Sequence, residues 1–307
     1  MERDYINYPR RFKAYRWYKP LLVAMLFIVF LFIFNMIVEQ ITKTIFGAVI
    51  QDNGYDGVDF YTAAGAFRNN ALNACYIPSL FLAAMIVKDR PISSYFSSMG
   101  GWRWKAFFKT LAPGVVVFAL PNIIYYLLLG QTGSILFTPD GFIMLCIFLP
   151  LMAIGEELLF RGFLMQTTGS WFKIAAIGLL VQVLLFALEH PYNTIGKIST
   201  GVTALLYGLI CVFSRGIEAS SVLHMLNNFT GILMAGLGYG NITSEQCVQS
   251  VLINLLFKLA FFLFVLYADK KLHWFDEEKR DDVAEFNEKN KSDRIDQQLT
   301  TELKTRF

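Results

Sequence analysis

Apolar runs long enough to cross a bilayer recur along this chain, and they constrain its fold more than any other feature. A membrane-spanning helix needs roughly 20 mostly apolar residues. Eight candidate runs meet or approach that length, at 20–38, 69–87, 110–129, 141–165, 172–190, 198–213, 219–239 and 249–268. A soluble core does not accommodate so many. The reading is an all-α integral membrane protein, a polytopic bundle of about eight transmembrane helices. Composition agrees, since 17% of the 307 residues are charged against roughly 25% in soluble proteins. The charges also crowd into 269–307, leaving the preceding stretch poorer still.

The first run, Pro20 to Val38, follows Arg3, Arg10, Arg11, Lys13, Arg16 and Lys19. It is longer than the roughly 7–15-residue apolar region of a signal peptide, and Asn35 to Gln40 offers no small-residue cleavage site. It reads as a retained span. Lys and Arg in short loops set orientation. The loop with Asp52, Asp56 and Asp59 carries no basic residue after Lys43 and reads as outside. Lys88, Arg90, Arg103, Lys105 and Lys109 place the next loop inside, and Gln131 to Asp140 is again outside. Lys270 and Lys271 put the C-terminal end in the cytoplasm with the N-terminal one. Ser93 to Gly101 reads as a loop, and Pro113 and Pro121 are expected to kink the third span.

The division that follows is a basic cytoplasmic segment at 1–19, three spans in 20–139, a motif-bearing core at 140–240, a last span in 241–268 and a charged tail at 269–307. The tail is expected as a solvated helix or a disordered extension. A net charge of +3 without a Lys/Arg block or basic-aromatic stripe points away from nucleic acid. Cys75, Cys146, Cys211 and Cys247 lie far apart, with no C-x-x-C spacing for metal or redox work, and read as small hydrophobes.

The charges inside the fourth run are the exception that carries chemistry. An ionised side chain at the centre of a membrane helix costs roughly 2.5–3.5 kcal/mol on insertion scales. Yet Glu156, Glu157 and Arg161 fall within six residues, and the uncharged part before them, Gly141 to Gly155, is too short to cross alone. Residues four apart share a helical face, so Glu157 and Arg161 can pair, while Glu156 has no partner in its own helix. A snorkelling cluster near Trp171 and Lys173 is the bland alternative. Two histidines shift the balance. His190 sits before Pro191 at a helix end or break, and His224 lies four residues before Asn228 on one face. A Glu and a His can jointly deprotonate a water, and a second His with an Asn can donate to a developing oxyanion. With no Gly-x-Ser-x-Gly or comparable nucleophile context, the residues read as a water-attack hydrolase.

Glu156-Glu157-x-x-x-Arg161, Phe186-x-x-x-His190 and His224-x-x-x-Asn228, in that order on separate segments, resemble the three motifs of the CPBP family. This is the CAAX-protease and bacteriocin-processing, or Abi, group of intramembrane glutamic endopeptidases. The resemblance covers roughly 140–240 and implies a catalytic core there. It implies Glu156 as the group that activates water, helped by His190, with His224 and Asn228 as the oxyanion site. Glu157 and Arg161 would organise the carboxylate, and Phe186 would pack. No cofactor is implied. The implied partners are a peptide or membrane-associated protein substrate and the lipid bilayer, in a multi-pass protein of a bacterial plasma membrane. A non-catalytic scaffold or bacteriocin-immunity protein of the same fold is the alternative. Two His and a Glu could also hold zinc with an open position, but no H-E-x-x-H spacing occurs and Arg161 would repel a cation. A transporter would show repeated halves, and no repeat stands out. One tension remains: simple hairpins put His190 and His224 at opposite ends of their spans, so a broken or submerged segment near Gly169 to Ile174 or after Pro191 has to reconcile them.

Overall fold

The computed structural model describes residues 4–47, 56, 58–130, 132–277 and 280–292. Asp52, Gln131 and the tail beyond 292, all used in the readings above, lie outside the described residues. Among the described residues there is no strand; an isolated bridge joins Ser97 and Gly216.

Among the described residues eight long helical rods follow one another between 19 and 270. They are α1 (Lys19–Ile45), α2 (Ala63–Val87), α3 (Trp104–Leu129), α4 (Pro139–Phe172), α5 (Ala175–Glu189), α6 (Thr194–Ser214), α7 (Glu218–Gly236) and α8 (Val248–Lys270). They overlap the eight expected runs, and among the described residues six are by length and composition long and apolar enough to cross a membrane: α1 to α4, α6 and α8. The physical reasons differ for the other two. Lys173, left-handed at φ 60°, terminates α4 inside the run 172–190. That leaves α5 only 15 residues, about 22 Å of rise against a hydrocarbon core of roughly 30 Å. In α7, Glu218, His224, Asn227 and Asn228 dilute the apolar sequence. This helix is enclosed by the bundle, with Ala219, Val222, Leu223, His224 and Leu226 all buried.

Lipid-facing and protein-facing sides follow helical periodicity. Exposed Met25, Ile28, Phe32 and Met36 form one stripe on α1, and Leu252, Leu256, Leu259 and Leu263 another on α8. The entry to α4 is fixed by Thr138, whose hydroxyl accepts from the Gly141 N–H at 3.2 Å, with Pro139 at the first helical position. Asn193 caps α6 in the same way through the Gly196 N–H at 2.9 Å. Pro113 and Pro121 bracket a π-helical stretch, Val115–Ala119, in α3. A second π stretch, Leu158–Met165, lies in the middle of α4, directly after the two glutamates.

The tail is helical over 282–292 and does not stand free in solvent. Phe286 meets Phe12 edge to face at 5.7 Å, and the Lys13 N–H donates to Asn287 at 2.9 Å. It therefore leans on the basic N-terminal segment.

Candidate active site

The π stretch in α4 marks where the helix departs from regular geometry, a feature that recurs at functional sites. Just before it, Gly155 lets α2 approach closely. A Cβ at that position would stand 2.7 Å from the Asn73 carbonyl oxygen. This contact brings Asn73 onto Glu156, where its Nδ2 donates to Oε1 at 2.8 Å. Glu156 thus has no partner in its own helix, as the spacing implied, but gains one from α2.

Glu157 is fully buried and serves three donors. Arg161 Nη1 donates to its Oε1 at 2.9 Å, the i, i+4 pair read from the sequence. His224 Nδ1 donates to the same oxygen at 2.9 Å, and Ser220 Oγ to Oε2 at 2.7 Å. Arg161 is completely enclosed, its guanidinium 4.5 Å from the Phe186 ring centre and 5.1 Å from that of Tyr207. Phe186 therefore does more than pack beside His190: it covers a cation.

His224 stands between the two glutamates. With Nδ1 on Glu157, its Nε2 lies 3.5 Å from Glu156 Oε2.

His190 is the cap residue that ends α5. Its Nδ1 is 2.8 Å from the Phe186 carbonyl, which can only accept, so Nδ1 carries a proton and Nε2 is the basic nitrogen of the neutral ring. The expected tension between the histidines is met by packing: both rings lie against the same Phe186 side chain. His190 and His224 flank Phe186, with ring-centre separations of 4.6 and 5.9 Å from it. Asn228 has one weak contact for its Nδ2, to Met152 Sδ at 3.8 Å, and its carbonyl oxygen accepts from Asn227.

These groups share a cavity of about 400 Å³, with Glu156, His190, His224 and Asn228 on its wall. Glu157 and Arg161 are packed behind it. The cavity extends to the loop between α7 and α8, including Asn241, Thr243 and Gln246. Sequence reasoning missed Asn73, Ser220 and Glu189. Glu189 lines the cavity and accepts from the Tyr76 hydroxyl at 3.2 Å. The available signal for Asn73 and Glu189 was a polar residue interrupting an apolar run; Ser220 gave none. Among the described residues no three His, Cys, Asp or Glu side chains form a metal-binding group. The four cysteines are free.

Residues 138–230 match the family model described as type II CAAX prenyl endopeptidase, Rce1-like. This segment is similar to the Rce1-like domain of the CPBP family. The uncharacterised protein YyaK of Bacillus subtilis (strain 168) is 26% identical over 164 residues, covering 50% of this chain and 55% of that protein. The chain thus spans about half the length of the curated relative it matches. No solved structure matches the chain. The Rce1-like segment runs from the cap of α4 to Thr230 on α7 and contains all seven named residues of the three motifs. Asn73, on α2, reaches the site from outside it. With six helices able to cross a membrane and an Rce1-like segment, the chain is a multi-pass membrane protein.

Proposed function

We propose that the cavity hydrolyses a peptide bond within the membrane by direct attack of water. The observation that carries this reading is His224 held between Glu156 and Glu157 on the wall of a buried polar cavity, inside an Rce1-like segment. Glu156, with the free Nε2 of His190, takes a proton from water as the oxygen bonds to the substrate carbonyl carbon. Asn228 Nδ2 and a protonated His224 Nε2 donate to the resulting oxyanion. The proton then passes to the leaving amine as the C–N bond breaks. Glu157, itself fixed by Arg161 and Ser220, holds the His224 ring in place, the task a buried carboxylate performs in acid–base triads.

Orientation belongs to the same proposal. Both ends of the chain lie in the cytoplasm of a bacterial cell, and the loop Asn241 to Gln246 faces outward. The substrate is then a membrane-associated peptide reaching the cavity from the outer side of the plasma membrane.

Comparative peptidomics of cells carrying the natural protein, Glu156→Gln or His190→Ala tests the reading. Loss of at least 100-fold in the release of one or more peptides is expected in both variants, in keeping with removal of a general base that contributes about 10²–10⁴-fold. If both variants retain full biological activity with unchanged peptides, the protein works as a scaffold or immunity factor and hydrolysis is refuted.

A further inference from the structure

Among the described residues, the buried Arg and Lys side chains are paired with carboxylates except at Lys258. Arg161 has Glu157 at 2.9 Å and Arg103 has Glu218 at 2.7 Å. Arg90 lies 3.8 Å from Asp89. Lys258 is buried to a similar degree, 5% exposed, and has no carboxylate partner among the described residues. Its ammonium meets only the Thr203 hydroxyl, at 2.9 Å. An ammonium has three donors, and the single hydroxyl satisfies one of them.

Its position makes this costly. Lys258 lies ten residues into α8, about 15 Å from the start of the helix, where a cation costs roughly 2.5–3.5 kcal/mol on insertion scales. It does not snorkel to either end; it lines the same cavity as Glu156 and His190. Its surroundings there are neutral and polar. Asn254, one turn earlier on α8, donates to Asn122 of α3 at 3.2 Å, and Thr203 comes from α6. The helix bearing Lys258 packs on α6, α3 and α7, so the ammonium enters the cavity from a different wall than the α4 glutamates.

We propose that Lys258, with Thr203 and Asn254, forms an anion subsite that binds a carboxylate of the bound peptide. The description of the ligand as a peptide rests on the hydrolase reading; the anion subsite itself rests on the unpaired ammonium. Two sources of carboxylate fit, the C-terminal group and an Asp or Glu side chain. The ligand completes in the loaded protein the ion pair that Arg161 and Arg103 have permanently.

Binding is measured on the full chain in lipid nanodiscs carrying Glu156→Gln, so that bound peptides stay intact. Three pools of random apolar hexapeptides are offered: free C-terminal acids, C-terminal amides, and amides with one internal Glu. Bound peptides are quantified by mass spectrometry. The acid pool is expected to be retained at least tenfold over the plain amides; the Glu-containing pool shows whether a side-chain carboxylate is also accepted. Lys258→Met and Lys258→Gln reduce retention to the amide level, and Lys258→Arg preserves it. Retention of all pools alike, or of none, overturns the subsite even if the variants fail to fold. So does a preference that survives Lys258→Met. Cleavage of the same pools by the natural protein is scored separately. Carboxylate preference without cleavage sinks the hydrolase and keeps the subsite; cleavage without preference does the reverse.

Discussion

At Glu157 one carboxylate holds groups from two helices, and the consequences of losing it differ from those of losing Glu156. Glu157→Ala leaves Arg161 charged, fully enclosed and without its ion pair, a situation that destabilises by about 3–5 kcal/mol. Thermal unfolding in detergent should show a clearly lowered midpoint, while Glu156→Gln, which keeps volume and an acceptor for Asn73, should unfold close to the natural protein. An unchanged midpoint in Glu157→Ala would contradict the packing described. The Glu157–Arg161 pair was legible from sequence because both partners lie on one helix four residues apart. The reach of His224 to both glutamates was not, since it depends on how α7 packs against α4, and no spacing along the chain encodes that. Nor was the Asn73 contact, which depends on a glycine in the other helix.

At the level of elements, Gly155 and the loop at the cavity mouth make separate predictions. Gly155→Val puts a side chain where α2 passes within 2.7 Å of the Cβ position, so α2 must move off α4 and Asn73 must leave Glu156. Peptide processing is expected to fall at least tenfold, and restoring a small residue with Gly155→Ala should recover only part of it. The mouth loop is tethered from the first loop: the Ser244 N–H and hydroxyl both donate to Asp56, the latter at 2.9 Å. These bonds hold the Asp56 carboxyl below its usual range, the backbone bond contributing most. A folded value below the unfolded one, about 3.9, means the tether is fully present above that value and is lost as pH falls through the folded one. Protection factors at Thr243 to Gln246, exchange rates corrected for the intrinsic pH dependence of amide exchange, should therefore be unchanged from pH 7 to 5 and fall only in stronger acid; Asp56→Asn should remove that acid-triggered step. Most helices were visible as apolar runs. Two of the eight runs differ from the other six: a single left-handed residue shortens one to 15 residues, and burial inside protein lets the other be polar.

The whole molecule draws its site from more of the chain than the motifs cover. Asn73 on α2, Asn122 on α3 and Lys258 on α8 line the cavity together with groups from α4 to α7 and the loop before α8, so the motif-bearing stretch would not make this cavity alone. Orientation is checked with a native residue. Cys247 is exposed at the start of α8, beside the loop at the cavity mouth. A membrane-impermeant maleimide should label it in intact cells, and Cys247→Ser should abolish that labelling; labelling only after permeabilisation would invert the topology. The shortness of α5 has a further consequence, which falls on the lipid. Its exposed Leu180, Leu184 and Leu188 offer a hydrophobic height about 8 Å less than the surrounding hydrocarbon. Acyl chains there must tilt or compress, at a fraction of a kcal/mol per Å of mismatch. Thinning of that kind would fall beside the end of α5, where His190 closes the helix.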